Sequence, residues 1–179
     1  MHEDTCQIML NVAAPVRSPN RPNRPNRPNG SPPHQATATL LGGRRTLGTL
    51  PVPQTRADVH SALVNGVSYA ILVHLVSQLH TLTLDEVAQA LGMSSRTLRR
   101  HQEQPDKPMP PDLASRTWHF AELLTLAAEV MGGHDAAERW MAAPAVGLDG
   151  ARPIELMRTL QGAELVSDLL GRLEHGVYS

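Results

Sequence analysis

The chain has 179 residues, 41% of them apolar and 18% charged, a balance that suits one compact domain or two small helical ones with enough apolar material for a core. Aromatic residues are few (Tyr69, Trp118, Phe120, Trp140 and Tyr178), so the core is expected to be built of Leu, Ala and Val, which favours helix packed on helix over a sheet. The single cysteine, Cys6, excludes an internal disulfide; no apolar run approaches the roughly 18 residues of a membrane span and no signal-peptide pattern opens the chain, so a cytoplasmic protein is expected.

The net charge of -1 conceals an asymmetry. Seven arginines precede Asp58 against only Glu3 and Asp4, which leaves +5 on the N-terminal part and -6 on the rest. A basic arm on an acidic body fits a polyanion at the arm and a different partner at the body; a merely solvated tail fits the same composition.

From Pro19 to Asn29 the chain reads PNRPNRPNRPN, followed by Gly30, Ser31, Pro32 and Pro33. Proline at every third position predicts an extended, disordered segment, and Gly42 to Pro53 is rich in turn residues, so residues 1–56 are expected to be a disordered basic arm. Asp58 is a candidate N-cap for a first short helix with Val59, Leu63 and Val64, ended by Asn65 and Gly66. A second helix follows, in which Ile71, Leu72, Leu75, Val76 and Leu79 share one face.

The segment from Thr83 to Gln102, TLDEVAQALGMSSRTLRRHQ, carries the sharpest local signal. Thr83 and Glu86 form a capping box, with Leu82 and Val87 as its hydrophobic staple, so a helix starts at Leu84. Gly92 supplies the positive φ of a tight turn, and Ser94 or Ser95 caps a second helix. Val87, Ala88, Leu91, Met93 and Leu98 occupy the buried positions of a helix-turn-helix; His101 departs, standing where a branched aliphatic is usual. The second helix then offers Ser94, Ser95, Arg96, Thr97, Arg99 and Arg100 on its open side, short hydroxyls and guanidinium groups that suit base edges and phosphates in a major groove. Basic helix faces are also often simply solvated, and one such motif binds weakly, so reading DNA would require a dimer. Arginines at 21, 24 and 27 would add salt-dependent affinity.

Beyond a turn with Pro105, Pro108, Pro110 and Pro111, a longer helix is expected from about Asp112, with Leu113, Phe120, Leu123, Leu124, Ala127 and Met131 on its apolar face and Gly132 and Gly133 at its end. Asp135 can cap the next helix, which contains Trp140 and closes at Pro144 and Gly147. Pro153 fits the first turn of a brief helix through Met157. The last helix carries Ala163, Val166, Leu169, Leu170 and Leu173 and ends at Gly176.

Catalytic signals are missing. The histidine pairs His74/His80, His101 with Glu103, and His119 with Glu122 lack metal-site spacing, and no phosphate loop, dinucleotide fingerprint or nucleophile elbow occurs. Neither a metal, a cofactor nor a small-molecule substrate is expected, and the chain does not read as an enzyme.

The C-terminal stretch from His134, HDAAERWMAAPAVGLDGARPIELMRTLQGAELVSDLLGRLEHGVYS, together with the helix-turn-helix, resembles the antitoxins of RES-Xre toxin-antitoxin systems within the MbcA/ParS/Xre group. The carrying features are an internal Trp in a helix, the turn after it, P-x-E-L-x-x-T, and the ending G-A-x-x-V-x-x-L-L-G-R-x-E-x-G-V-Y-S; the likeness spans residues 58 to 179. It implies an all-α fold with a DNA-binding domain at 57–111 and a toxin-binding and dimerisation domain at 112–179. It also implies a RES-domain toxin that depletes NAD+ as partner, an operator DNA, and a homodimer. Arg172, Glu174, His175, Gly176, Val177, Tyr178 and Ser179 map to the part that would enter the toxin's active site. Tyr at the end of a chain can anchor an interface, although terminal residues are frayed by default. The competing reading is a stand-alone helix-turn-helix regulator without a toxin.

Overall fold

The computed structural model describes residues 33–47 and 51–176. They form ten α-helices, α1 (Pro33–Leu40), α2 (Arg44–Leu47), α3 (Arg56–Asn65), α4 (Ala70–Ser77), α5 (Leu84–Ala90), α6 (Ser95–Gln102), α7 (Pro111–Met131), α8 (His134–Ala142), α9 (Pro153–Leu156) and α10 (Leu160–Glu174), with a 3-10 turn at Val146–Leu148. Among the described residues the extended pairing consists of one isolated antiparallel bridge, Ser68 to Pro108. No described helix is long and apolar enough to cross a membrane. The described fold is therefore helical, as the aliphatic composition favours.

Helix α7 is the spine. Its 21 residues bury Ala114, Thr117, Trp118, Phe120, Ala121, Leu123, Leu124, Thr125 and Ala127, and α1, α3, α4, α8 and α10 all pack on it. Ile71, Leu72 and Leu75 of α4 are fully buried, while Val76 and Leu79 pack at the margin. Full burial of a Leu or Ile side chain is worth about 1.5–3 kcal/mol, so this aliphatic cluster supplies most of the driving force.

Within the expected arm, 1–56, the described residues 33–47 are helical rather than disordered. Residues 33–47, read from sequence as arm, form α1 and α2, and Ala38, Leu40, Leu41 and Leu47 are part of the common core. Pro33 is the reason the segment looked unstructured and also the reason it is a helix start, since proline is favoured at the first helical position. On α1, His34 Nδ1 lies 3.6 Å from Glu122 of α7, whose other carboxylate oxygen is 3.7 Å from His119. The PNR repeat and Cys6 lie outside the described residues.

Two caps also differ from expectation. Helix α3 is capped by Thr55, and Asp58 is the third residue of a capping box, its carboxylate accepting from the Thr55 amide at 2.9 Å. The N-cap of α8 is Gly133, which leaves Asp135 in the first turn, where its charge suits the helix dipole. Val64 of α3 faces solvent.

The most consequential buried polar group is Glu138 of α8, 1% exposed. Its carboxylate accepts from the backbone amides of His80 (2.9 Å), Thr81 (2.7 Å) and Leu82 (3.0 Å) in the segment between α4 and α5. These amides have no helical partner, and a buried charge is tolerated only when hydrogen bonds saturate it. Replacing Glu138 with Ala strands all three amides, and the expected loss is about 3 kcal/mol of unfolding free energy, read as a lowered midpoint in denaturant; unchanged stability would mean that water satisfies these groups.

Candidate DNA- and partner-binding sites

The first site is assembled by α5 and α6. Thr83 caps α5, its hydroxyl accepting from the Glu86 amide at 3.3 Å while the Glu86 carboxylate accepts from the Thr83 amide at 2.9 Å. Gly92 turns the chain at φ 75°, a left-handed conformation that demands glycine here, while the flexible Arg116 guanidinium covers the turn. Ser94 caps α6 by accepting from the Thr97 amide at 3.1 Å. Val87, Ala88, Leu91 and Leu98 are buried between the helices, and Met93 is partly covered.

The six residues read from sequence as DNA-facing fall on one short helix and its cap. Arg96, Arg99 and Arg100 are exposed, as is Ser94, while Ser95 and Thr97 are half-buried. The Ser94 and Thr97 hydroxyls lie 2.9 Å apart, so their first task is to hold the start of α6. Three exposed guanidinium groups remain on the open side, a surface suited to phosphates and guanine edges.

The departure at His101 has a structural cause. Its imidazole stacks on Tyr69, with ring centroids 4.0 Å apart and planes at 10°, so an aromatic pair fills the space an aliphatic would take. Burial, followed by the charges of Arg100 and Lys107, pushes its pKa below the ordinary histidine value, which keeps the ring neutral at neutral pH.

The second candidate site is the C-terminal end. Helix α10 starts at Thr159, whose hydroxyl accepts from the Gly162 amide at 3.0 Å, and a Cβ on Gly162 would meet the Leu156 carbonyl, so glycine permits α9 and α10 to approach closely. Ala163, Val166, Leu169 and Leu170 are buried, and Leu173 packs on them. Helix α10 ends at Glu174, with Gly176 beyond it at φ 65°. Arg172, Glu174, His175 and Gly176 are exposed; Val177, Tyr178 and Ser179 lie outside the described residues.

What the sequence did not single out is the pair of side chains that fastens the helix-turn-helix to the C-terminal helices. Glu138 is one. The other is Arg152, whose Nε donates to the Ala142 carbonyl at the end of α8 at 2.7 Å and whose Nη2 pairs with the free oxygen of the Glu86 carboxylate. Burial raises the Glu86 pKa, but the Thr83 amide, the Arg152 guanidinium and the Thr83 hydroxyl together outweigh it and hold the carboxyl below its ordinary value. A signal for Glu138 was available: an acid adjoining Ala137 and Met141 on the apolar stripe of a short helix.

Comparison with known proteins finds two recognised modules in the chain. Residues 58–122 match the antitoxin Xre-like helix-turn-helix domain, and residues 126–176 match the antitoxin Xre/MbcA/ParS C-terminal toxin-binding domain. The chain is 33% identical over 132 residues to an antitoxin Xre of Yersinia enterocolitica, covering 72% of this chain and 86% of that protein. It is 28% identical over 134 residues to an antitoxin Xre of Pseudomonas putida, covering 74% and 82% respectively. A third antitoxin Xre, from Photorhabdus laumondii, is 26% identical over 136 residues, 75% of this chain and 89% of its own.

The Glu86–Arg152 pair has a pH signature. Because the folded-state pKa of Glu86 is lowered, its contribution is present above the unfolded carboxylate value and lost as pH falls through the folded one. The Arg152→Met variant lets Glu86 titrate nearer its ordinary value, so its acid-unfolding midpoint is expected at higher pH than that of the parent. Equal midpoints, followed by circular dichroism, would show that the pair contributes nothing to this linkage.

Proposed function

The chain belongs to the Xre family of antitoxins, and on that premise we propose that it silences a RES-family, NAD+-depleting toxin by seating its C-terminal end in the toxin's active site, and represses its own operon through α6. It is an antitoxin of a type II module with a helix-turn-helix domain and a toxin-binding domain, and not an enzyme.

The observation that carries the finer reading is the end of α10. The toxin-binding match runs to residue 176, where the helix stops on a left-handed glycine and the exposed Arg172, Glu174, His175 and Gly176 lead into Val177, Tyr178 and Ser179. A tyrosine two residues past this helix end suits a closed pocket, because Tyr buries much area at little rotamer cost and carries a hydrogen-bonding tip. The RES identity of the toxin rests on the likeness of this ending to the RES-Xre antitoxins.

On the DNA side the reading assigns Ser94, Ser95, Arg96, Thr97, Arg99 and Arg100 to the major groove. Two half-sites require two copies, and a homodimer through the C-terminal region has support in Val146 (96% exposed), Leu160 and Leu165, large apolar side chains left in solvent. The division we adopt is DNA binding by residues 57–111 and toxin binding with dimerisation by 112–179, in a cytoplasmic protein.

Co-expression with the product of the neighbouring gene tests the reading. The full chain is expected to restore growth and cellular NAD+, the chain lacking Val177 to Ser179 to fail at both, and Arg96→Ala with Arg99→Ala to protect normally while losing at least tenfold in promoter affinity. Protection by the truncated chain would remove the active-site role of the tail. If the neighbouring gene product needs no neutralising, the chain is a stand-alone helix-turn-helix regulator.

A further inference from the structure

At the C-terminal end of α6 lies an open cleft of about 420 Å³, lined by Tyr69, Arg100, His101, Gln104 and Lys107 and bounded by Pro108. No carboxylate lines it; Glu103 and Asp106, adjacent in sequence, are exposed outside it. The Tyr69–His101 stack forms an aromatic wall. Since His101 is held neutral, the positive charge of the cleft resides on Arg100 and Lys107, both exposed.

Lys107 is the only lysine in a chain that otherwise uses arginine, and its backbone is held by hydrogen bonds on both sides. Its carbonyl accepts from the Tyr69 amide at 3.0 Å, its own amide donates to Gln104 at 3.2 Å, and the Met109 amide donates to Val67 at 2.8 Å. The isolated bridge between Ser68 and Pro108 is part of the same pairing. Pro105, Pro108, Pro110 and Pro111 restrict the backbone further. A rigid loop thus presents an ammonium group beside Arg100 on the helix that carries the proposed base-reading residues.

We propose that this cleft is a phosphate site for duplex DNA: it holds a backbone phosphate flanking the base pairs read by α6, with Lys107 and Arg100 as the cations. The proposal rests on the assignment of α6 to the major groove. Continuity with that helix, a lining whose only charges are the cations Arg100 and Lys107, and a preset loop favour the polyanion assigned to α6. A compact ammonium is a point charge that binds phosphate without base selectivity. The contact therefore adds affinity and fixes the orientation of the helix, while specificity stays with Arg96 and Arg99 of α6.

The test uses the full chain and two duplexes of equal length, one from its own promoter and one of scrambled sequence, with anisotropy titrations across a range of salt. For Lys107→Gln the expected result is an affinity loss of about three- to tenfold on both duplexes, and a slope of log affinity against log salt smaller by about one. The exposed position makes refolding artefacts easy to exclude by circular dichroism. In parallel, acetylation of Lys107 by an amine-specific reagent, followed by mass spectrometry, is expected to slow when duplex is bound. Normal parent binding with an unchanged slope and unprotected Lys107 would overturn the phosphate site and leave the α6 assignment standing. A loss confined to the promoter duplex would also overturn it, because phosphates carry no sequence. If the parent binds neither duplex, the α6 assignment fails and the cleft fails with it.

Discussion

One buried carboxylate determines how this molecule is put together. Glu138 sits on a nine-residue helix in the C-terminal half and gives its oxygens to three consecutive amides that lead into the helix-turn-helix, 56 to 58 residues away in sequence. Without an acceptor there, the chain between α4 and α5 would bury unpaired donors; without those donors, α8 would bury a bare charge. Each half therefore solves the other's electrostatic problem. Arg152 repeats the logic at lower burial, joining the end of α8 to the start of α5.

The dependence matters because α5 and α6 have only seven and eight residues. Helices so short are not stable alone in water and must draw their order from packing. Here α5 packs on α9, α6 packs on α4 and α5, and the Tyr69–His101 stack closes the far end of α6. The proposed DNA surface on α6 and the proposed toxin surface at the end of α10 thus rest on a shared core. A change felt at α8 or α9 has a physical route to α5.

Most helices were legible because their signals are local. The Thr83–Glu86 capping box, the turn at Gly92, the Ser94 cap and the glycine stop at residue 132 depend on a few neighbouring residues and recur where the pattern puts them. The helix at Pro33–Leu40 was not legible: PHQATATLL lies next to a proline-rich repeat, and its burial against α7 is a tertiary fact. Asp58 and Asp135 were read as caps because an acid at a helix start fits either the cap or the first turn, and the choice depends on backbone geometry. Glu138 and Arg152 were missed for a related reason: an ion on a helix reads as surface until its distant partner is known. For the DNA-facing set, the residue types were legible, but the use of Ser94 and Thr97 as helix supports required geometry.

The shared core requires the helix-turn-helix helices α5 and α6 and the C-terminal helix α10 to open as one cooperative body. Native-state hydrogen exchange of the full chain tests it most directly, by comparing the slowest amides of α5 and α6 with those of α10 at increasing denaturant. The account requires the two sets to converge on one opening free energy, and to fall together when Glu138 is replaced by Gln. Exchange of α5 and α6 at a lower, denaturant-independent free energy, indifferent to Glu138, would contradict it and leave two modules that merely share a chain.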